Sequence, residues 1–471
     1  MHPARASQES RLLPFRRLVT RPAPTAMLAV SAMLLLAATA CALPGGPPVA
    51  GDSVATAVAA TLQAAPSAVP KEPGSPVTPT LPDVSAGATD APAAAAGSFS
   101  LAYTDGGDVW LIEGEAAARQ LSTTGGVTQV AISSDGQRIA FARREQVDQP
   151  SELWAVNRDG TGQTMLLAST RWNELYDSDG FLFNDLAGME FLPGGHLLIL
   201  GTQAVPEGPG VFRYDDLLQL DADTGSLSTL LPPGQGGAFT PSPDGEMIAI
   251  VRPTSIGLVN ADGSDLRADL VTFPMIITYS EYQSYPRVTW SPDSRALGAA
   301  IASADPLAPD PSGTVWRIEA DSAAVSSGPA IPGDFFFSQF SAAALAPDLG
   351  QIAFGRRGAD PNTTELYLGH ADGSGIALYT SGDAGWKGWS PDSGHFVFSQ
   401  DSPVTLRLGA PGALASPLGS GHTLQWINPG EFVVLGGGEG SWTLSRGTLS
   451  GPLEPLASPS GEHISFDVIP R

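Results

Sequence analysis

The chain has 471 residues, one cysteine and a formal charge of −24. A lone cysteine allows no internal disulfide, so the fold must hold by burial alone. The charge is uneven, +4 over residues 1–41, −3 over 42–97 and −25 over 98–471, and a domain that acidic repels a phosphate backbone, which argues against nucleic acid as a partner.

Residues 1–41 read as an export signal. Arg5, Arg11, Arg16, Arg17 and Arg21 make a basic start, and Met27 to Ala40 (MLAVSAMLLLAATA) make an apolar run. That run has 14 residues, short of the roughly 20 that a membrane-spanning helix needs. Cys41 follows. The stretch LAATAC resembles the lipobox of bacterial lipoproteins, with Ala40 small at the cleavage position and Ala38 where Leu is more usual. The resemblance implies a lipid on Cys41, which would anchor the protein to a membrane outside the cytoplasm. An ordinary secretory signal with an incidental thiol is the plainer alternative. Residues 42–97 carry ten Pro and no aromatic residue. Nothing there offsets the entropy of ordering a chain, so a solvated stalk is expected, spanning roughly 40 Å as a coil.

From Ser98 onward one phrase recurs: AISSDGQRIAFAR from Ala131, FTPSPDGEMIAIVR from Phe239, TWSPDSRALGAAI from Thr289, ALAPDLGQIAFGRR from Ala344 and GWSPDSGHFVFSQ from Gly388. Looser copies start at Met189 and Leu424. A spacing of this size signals a propeller or a solenoid. Pro suits the second position of a type I turn, Asp accepts backbone N–H bonds within it, and Gly or Ser tolerates the tight exit. The run after each turn is apolar at consecutive positions, as a strand covered on both faces must be. A second strand such as ELWAVN or ELYLGHA then leads to a DG turn, where Gly supplies a positive φ, and to a weaker strand. With the strand that enters the turn, this makes four antiparallel strands per repeat, the blade of a β-propeller.

The repeat resembles those of TolB-type propellers and of the propellers in prolyl oligopeptidase-like enzymes. The resemblance implies the fold and leaves the activity open, since such propellers serve many roles. Seven repeats begin with turns near Ser134, Pro193, Pro243, Pro292, Pro347, Pro391 and Pro429. Ahead of them, 98–122 reads as a blade lacking its first strand, and GEHISFDVIPR reads as a lone strand at the other end. An all-β single propeller of eight four-stranded blades is therefore expected, with seven as the fallback, closed by pairing of the C-terminal strand with the N-terminal blade.

In a meander of four strands the SPD and DG turns fall on one face of the disc, here called the short-turn face. The blade connections and second-to-third-strand loops fall on the other, and every long insertion lies there. Binding residues concentrate on such loops. The candidates are Trp172, Tyr176 and Asp177; Arg213; Tyr279, Glu281, Tyr282 and Tyr285; and Phe336. Aromatics beside carboxylates suit a peptide or a sugar, although the same loops could instead plug the channel with a private core. Arg143, Arg252 and Arg356 each follow the second strand of alternate blades, and would bind an anionic group if not paired with neighbouring carboxylates.

No cofactor and no metal site is expected. The six His are scattered, and DADTGS from Asp221 reads as a turn, with Pro232 where a calcium loop needs Glu. No G-x-S-x-G motif occurs, so the hydrolase domain of the oligopeptidase-like enzymes is expected to be absent. The function expected is a non-catalytic, lipid-anchored, monomeric propeller that binds a protein or peptide of the cell envelope on its long-loop face. Two alternatives stay open: a glycoside hydrolase or lyase using carboxylates at the channel mouth, and a glycan- or cell-wall-binding module.

Overall fold

In the computed structural model, the described residues are 99–471 apart from 178–179, 209, 279–281, 306–307, 337–342, 361–362 and 401–403. The expected signal, Cys41 and the expected stalk lie outside them.

The repeats fold as eight antiparallel sheets in chain order. The first strands of blades 2 to 8 are Val127–Ile132, Phe183–Phe191, Ala238–Pro241, Val288–Trp290, Ala344–Leu345, Ala384–Trp389 and Thr423–Asn428. Blade 1 has Phe99–Asp105, Asp108–Glu113 and Arg119–Gln120, and its first place is taken by Phe466–Pro470 from the other end of the chain. The tail pairs antiparallel with Phe99–Asp105, with Leu101 opposite Val468 and Tyr103 opposite Phe466. The expected closure is therefore present. Blade 3 departs from the four-strand pattern: the short strand Phe212–Arg213 folds back onto Leu197–Val205 and makes its sheet five-stranded. Two other insertions carry structure of their own. They are a one-turn helix, Arg171–Leu175, and a small hairpin, Ile277–Thr278 with Tyr282–Gln283.

A sheet covered on both faces needs a core on each, and in a ring those cores are shared. Eight apolar clusters result, each spanning two adjacent blades. The cluster that joins blade 8 to blade 1 unites Phe99, Leu101 and Tyr103 with Ile427, Val433 and Leu444, and with Phe466 and Val468 of the tail.

The turns add polar staples at the same junctions. In WSPDS of blade 5, Ser291 Oγ donates to Asp293 (2.7 Å), and Ala296 N donates to Ser291 Oγ (3.0 Å). Trp290 Nε1 donates to the Thr240 carbonyl of blade 4 (3.0 Å), and Ser294 Oγ accepts from Asp244 N (3.0 Å) of that blade. Blade 7 repeats the device: Trp389 Nε1 reaches the Ala344 carbonyl (3.0 Å), and Ser393 Oγ accepts from Asp348 N (2.9 Å). Ser294 and Ser393 have φ of 60° and 62°, a left-handed conformation that costs a non-glycine residue about 1 kcal/mol or more. Gly136 and Gly245 hold the corresponding exits without a side chain. The serines offset that cost with a bond between blades.

Candidate functional site

The long-loop face gathers most of the expected residues over blades 3 to 5. Tyr176 follows the one-turn helix and donates its hydroxyl to Asp216 Oδ2 (2.8 Å), with its ring 4.5 Å from that of Tyr214. Asp216 is buried and also accepts from Thr202 N (2.9 Å) and Thr202 Oγ1 (2.7 Å). Tyr214 donates to Asn184 Oδ1 (2.8 Å) and makes a longer bond to the Asp177 carbonyl (3.2 Å). Asp215 sits in a left-handed conformation (φ 49°) that turns its carboxylate the other way, where it accepts the Tyr285 hydroxyl at 3.0 Å. Burial, assisted by the adjacent carboxylates, holds the Tyr176 and Tyr285 phenols well above the usual tyrosine range. Burial likewise raises Asp215, against the pull of Tyr285, Arg213 and Arg252. Arg213 lies over the Tyr285 ring at 5.2 Å. Tyr282 is exposed, and its hydroxyl accepts from Gly210 N at 3.1 Å, joining the small hairpin to the blade 3 loop.

Beside Tyr285 opens an apolar cavity of about 130 Å³. Its walls include Pro253, Phe273, Ile276, Tyr285, Pro286 and Phe336. Phe336 is fixed through its backbone N–H, which donates to Asp334 Oδ1 (3.0 Å). The cavity has room for one apolar side chain, and Arg287 lines it as well.

Other candidates lie elsewhere. Trp172 is 1% exposed and donates Nε1 to the Ser151 carbonyl (2.6 Å), inside the core shared by blades 2 and 3. It is a structural residue that no ligand reaches. The three arginines do not converge on an anion site. Arg143 pairs with Glu152 (2.9 Å), Arg252 with Asp269, and Arg356 lies over the Tyr367 ring (4.4 Å) while its Nε donates to the Pro332 carbonyl (3.0 Å). Tyr279 and Glu281 fall outside the described residues, as does Cys41.

The channel holds groups that the repeat pattern did not single out. Glu190 of blade 3 and Asp467 of the closing strand line one cavity with Gln129, Met189 and Gln425. Asp467 Oδ2 accepts from Ile132 N (2.8 Å), and Ser465 Oγ from Val130 N (3.2 Å). The Glu190 side chain is exposed within the channel, with protein crowded around it. Burial first, and the Asp467 charge second, push it up to about 7. Lys387 of blade 7 lines a second channel cavity, where burial lowers its ammonium. Among the described residues no group of three or more His, Cys, Asp or Glu could hold a metal ion.

No protein-family model matches the chain. No curated protein matches it in sequence. In fold it is similar to a eukaryotic initiation factor (TM-score 0.47, 9% identity, 78% of this chain and 98% of that one). It is also similar to TolB from Acinetobacter baumannii (0.35, 12%, 73% and 88%) and to an oligogalacturonate lyase from Vibrio parahaemolyticus (0.41, 12%, 77% and 87%). Identities this low transfer no site residue.

Two measurements check this description. Trp172→Ala should lose about 3–5 kcal/mol of stability in chemical denaturation, whereas Tyr282→Ala should stay within about 0.5 kcal/mol of wild type. Equal losses would contradict the division between core and surface. Stability should also fall as pH rises from about 5 to 7, because native Glu190 keeps a proton that the unfolded chain has already released. His196 adds in the same direction: although burial opposes it, its bonds to Asp223 (2.9 Å) and Asp135 (3.1 Å) raise its pKa, so its contribution fades as pH climbs past 6.5. Glu190→Gln should flatten the profile in part; a variant profile superimposable on wild type would contradict the channel assignment.

Proposed function

We propose that the chain is a non-catalytic propeller that docks a protein or peptide of the cell envelope on its long-loop face, while a lipid on Cys41 tethers it outside the cytoplasm. One observation carries the binding part. Of the thirteen large hydrophobic residues exposed among the described residues, six fall in three neighbouring insertions of this face: Leu182, Val211, Phe212, Met275, Ile277 and Tyr282. The Phe181 and Phe212 rings lie 5.4 Å apart, and the Gly210–Tyr282 bond links that pair to the hairpin. The ridge runs beside the apolar cavity at Tyr285. Contiguous apolar surface flanked by a side-chain-sized cavity suits a partner that inserts an anchor residue.

The carboxylate-based enzyme reading is less well supported. Glycoside hydrolysis needs two carboxylates available to the sugar. Of the channel pair, Asp467 is committed to the Ile132 N–H, and Glu190 lies one residue from the short-turn end of its strand, away from the long loops. A glycan-binding shelf would need several exposed coplanar rings; Tyr176 and Tyr285 are half-buried and hydrogen-bonded through their hydroxyls, and the exposed Phe212 is tilted 58° to the adjacent Phe181 ring.

A photo-crosslinking residue at position 282 should capture a discrete envelope protein in cells. The same residue at 414, a fully exposed leucine on the short-turn face (99% exposed), should not, and Phe212→Asp should abolish capture at 282. Equal capture from both faces would overturn the assignment. An alkyne fatty acid should label the wild type and not Cys41→Ser; labelling of both would remove the anchor from the proposal.

A further inference from the structure

The cations of the propeller are not distributed like its anions. Residues 98–471 hold eighteen Lys and Arg against a net charge of −25. Twelve of the arginines make an ion pair with Asp or Glu. Among the described residues Arg213, Arg287, Arg356 and Arg357 make none. All four stand at the long-loop ends of blades 3, 5 and 6. Arg213 rests on the Tyr285 ring, and Arg287 is exposed and lines both the apolar cavity and the neighbouring channel cavity. Arg356 and the exposed Arg357 line the next depression, together with Asp310 and Asp334. Among the described residues, two other carboxylates of this face are engaged: Asp215 with Tyr285, and Asp269 with Arg252.

In an acidic domain with carboxylates to spare, guanidiniums that make no ion pair among the described residues, at the apolar cavity (Arg287), beside it over Tyr285 (Arg213) and at the next depression (Arg357), have a consequence for anything that covers them. Stripping water from a cation without supplying an acceptor is costly, so a partner seated on the ridge and cavity gains most by bringing acceptors of its own, carboxylates above all. Resting on the docking reading above, we propose that this partner segment is an acidic peptide. An apolar side chain fills the cavity, and flanking carboxylates form charge-assisted bonds with Arg213 and Arg287, and at the far end with Arg357. The net charge of the domain gives such a peptide no attraction at long range, so selectivity arises at contact rather than through steering.

The test uses the full-length chain and three labelled hexapeptides in fluorescence polarisation: Glu-Asp-Leu-Phe-Asp-Glu, its amide counterpart Gln-Asn-Leu-Phe-Asn-Gln, and Glu-Asp-Ala-Ala-Asp-Glu. The first should bind at least about tenfold tighter than either of the others, and Arg213→Gln or Arg287→Gln should bring it down to the level of the amide peptide. Amide and acidic peptides binding alike would overturn the acidic partner while leaving the docking face intact. Binding of the acidic peptide unchanged in both arginine variants would overturn it as well, as would no detectable binding of that peptide. Failure of the docking face itself would show separately, in the crosslinking from position 282.

Discussion

The structure depends on one constraint: a sheet that is apolar on both faces has no stable end, so the stack must close. Each blade covers its neighbour, and blade 1 covers blade 8 only because the tail supplies its missing strand. The closing strand is held on three sides. Its backbone pairs with Phe99–Asp105. Ser465 and Asp467 bind the Val130 and Ile132 N–H groups of blade 2. Gln425 of blade 8 bonds both the Phe466 carbonyl (3.1 Å) and Val468 N (3.1 Å). Without the strand, the cluster of Phe99, Leu101, Ile427 and Leu444 would face water, and two sheet edges would stand open.

The two faces of the disc then divide the work. On the short-turn face, a serine and a tryptophan staple blade 5 to blade 4 and blade 7 to blade 6, as at Trp290 and Ser294, and Arg138 bridges blades 2 and 3 through the Ala222 carbonyl (3.0 Å). Opposite it, the insertions are free to vary because the ring beneath them is already complete. Their order comes from local networks, above all the buried Asp216 with Thr202 and Tyr176, which tie the base of the ridge to the second strand of blade 3. Rigid support under a solvent-exposed apolar crest is what docking requires.

Much of this was legible in the amino-acid sequence, for an identifiable reason. Turn chemistry is local: SPD and DG place Pro, Asp and Gly where only a few backbone conformations fit, so blade number, the closing strand and the sorting of loops onto one face could all be read from spacing. The fate of a loop aromatic could not. Trp172 and Tyr282 look alike in sequence, yet one helical turn sends Trp172 into the core while a two-residue strand leaves Tyr282 outside. The arginines after the second strand were also ambiguous, because pairing of Arg252 with Asp269 depends on a strand that follows in the same blade. Glu190 and Asp467 gave no signal at all, since only closure of the ring brings them to one cavity. Arg287, which makes no ion pair among the described residues, was equally silent.

Amide hydrogen exchange on the full chain tests the central claim most directly. If the tail closes the ring, the amides of Val468 and of Leu101 to Tyr103 exchange only with global unfolding, at rates matching those of core strands such as Ile248–Val251. Exchange of residues 466–470 within seconds, while those core strands stay protected, would mean that the tail is not part of the ring, and the account built on closure would fail.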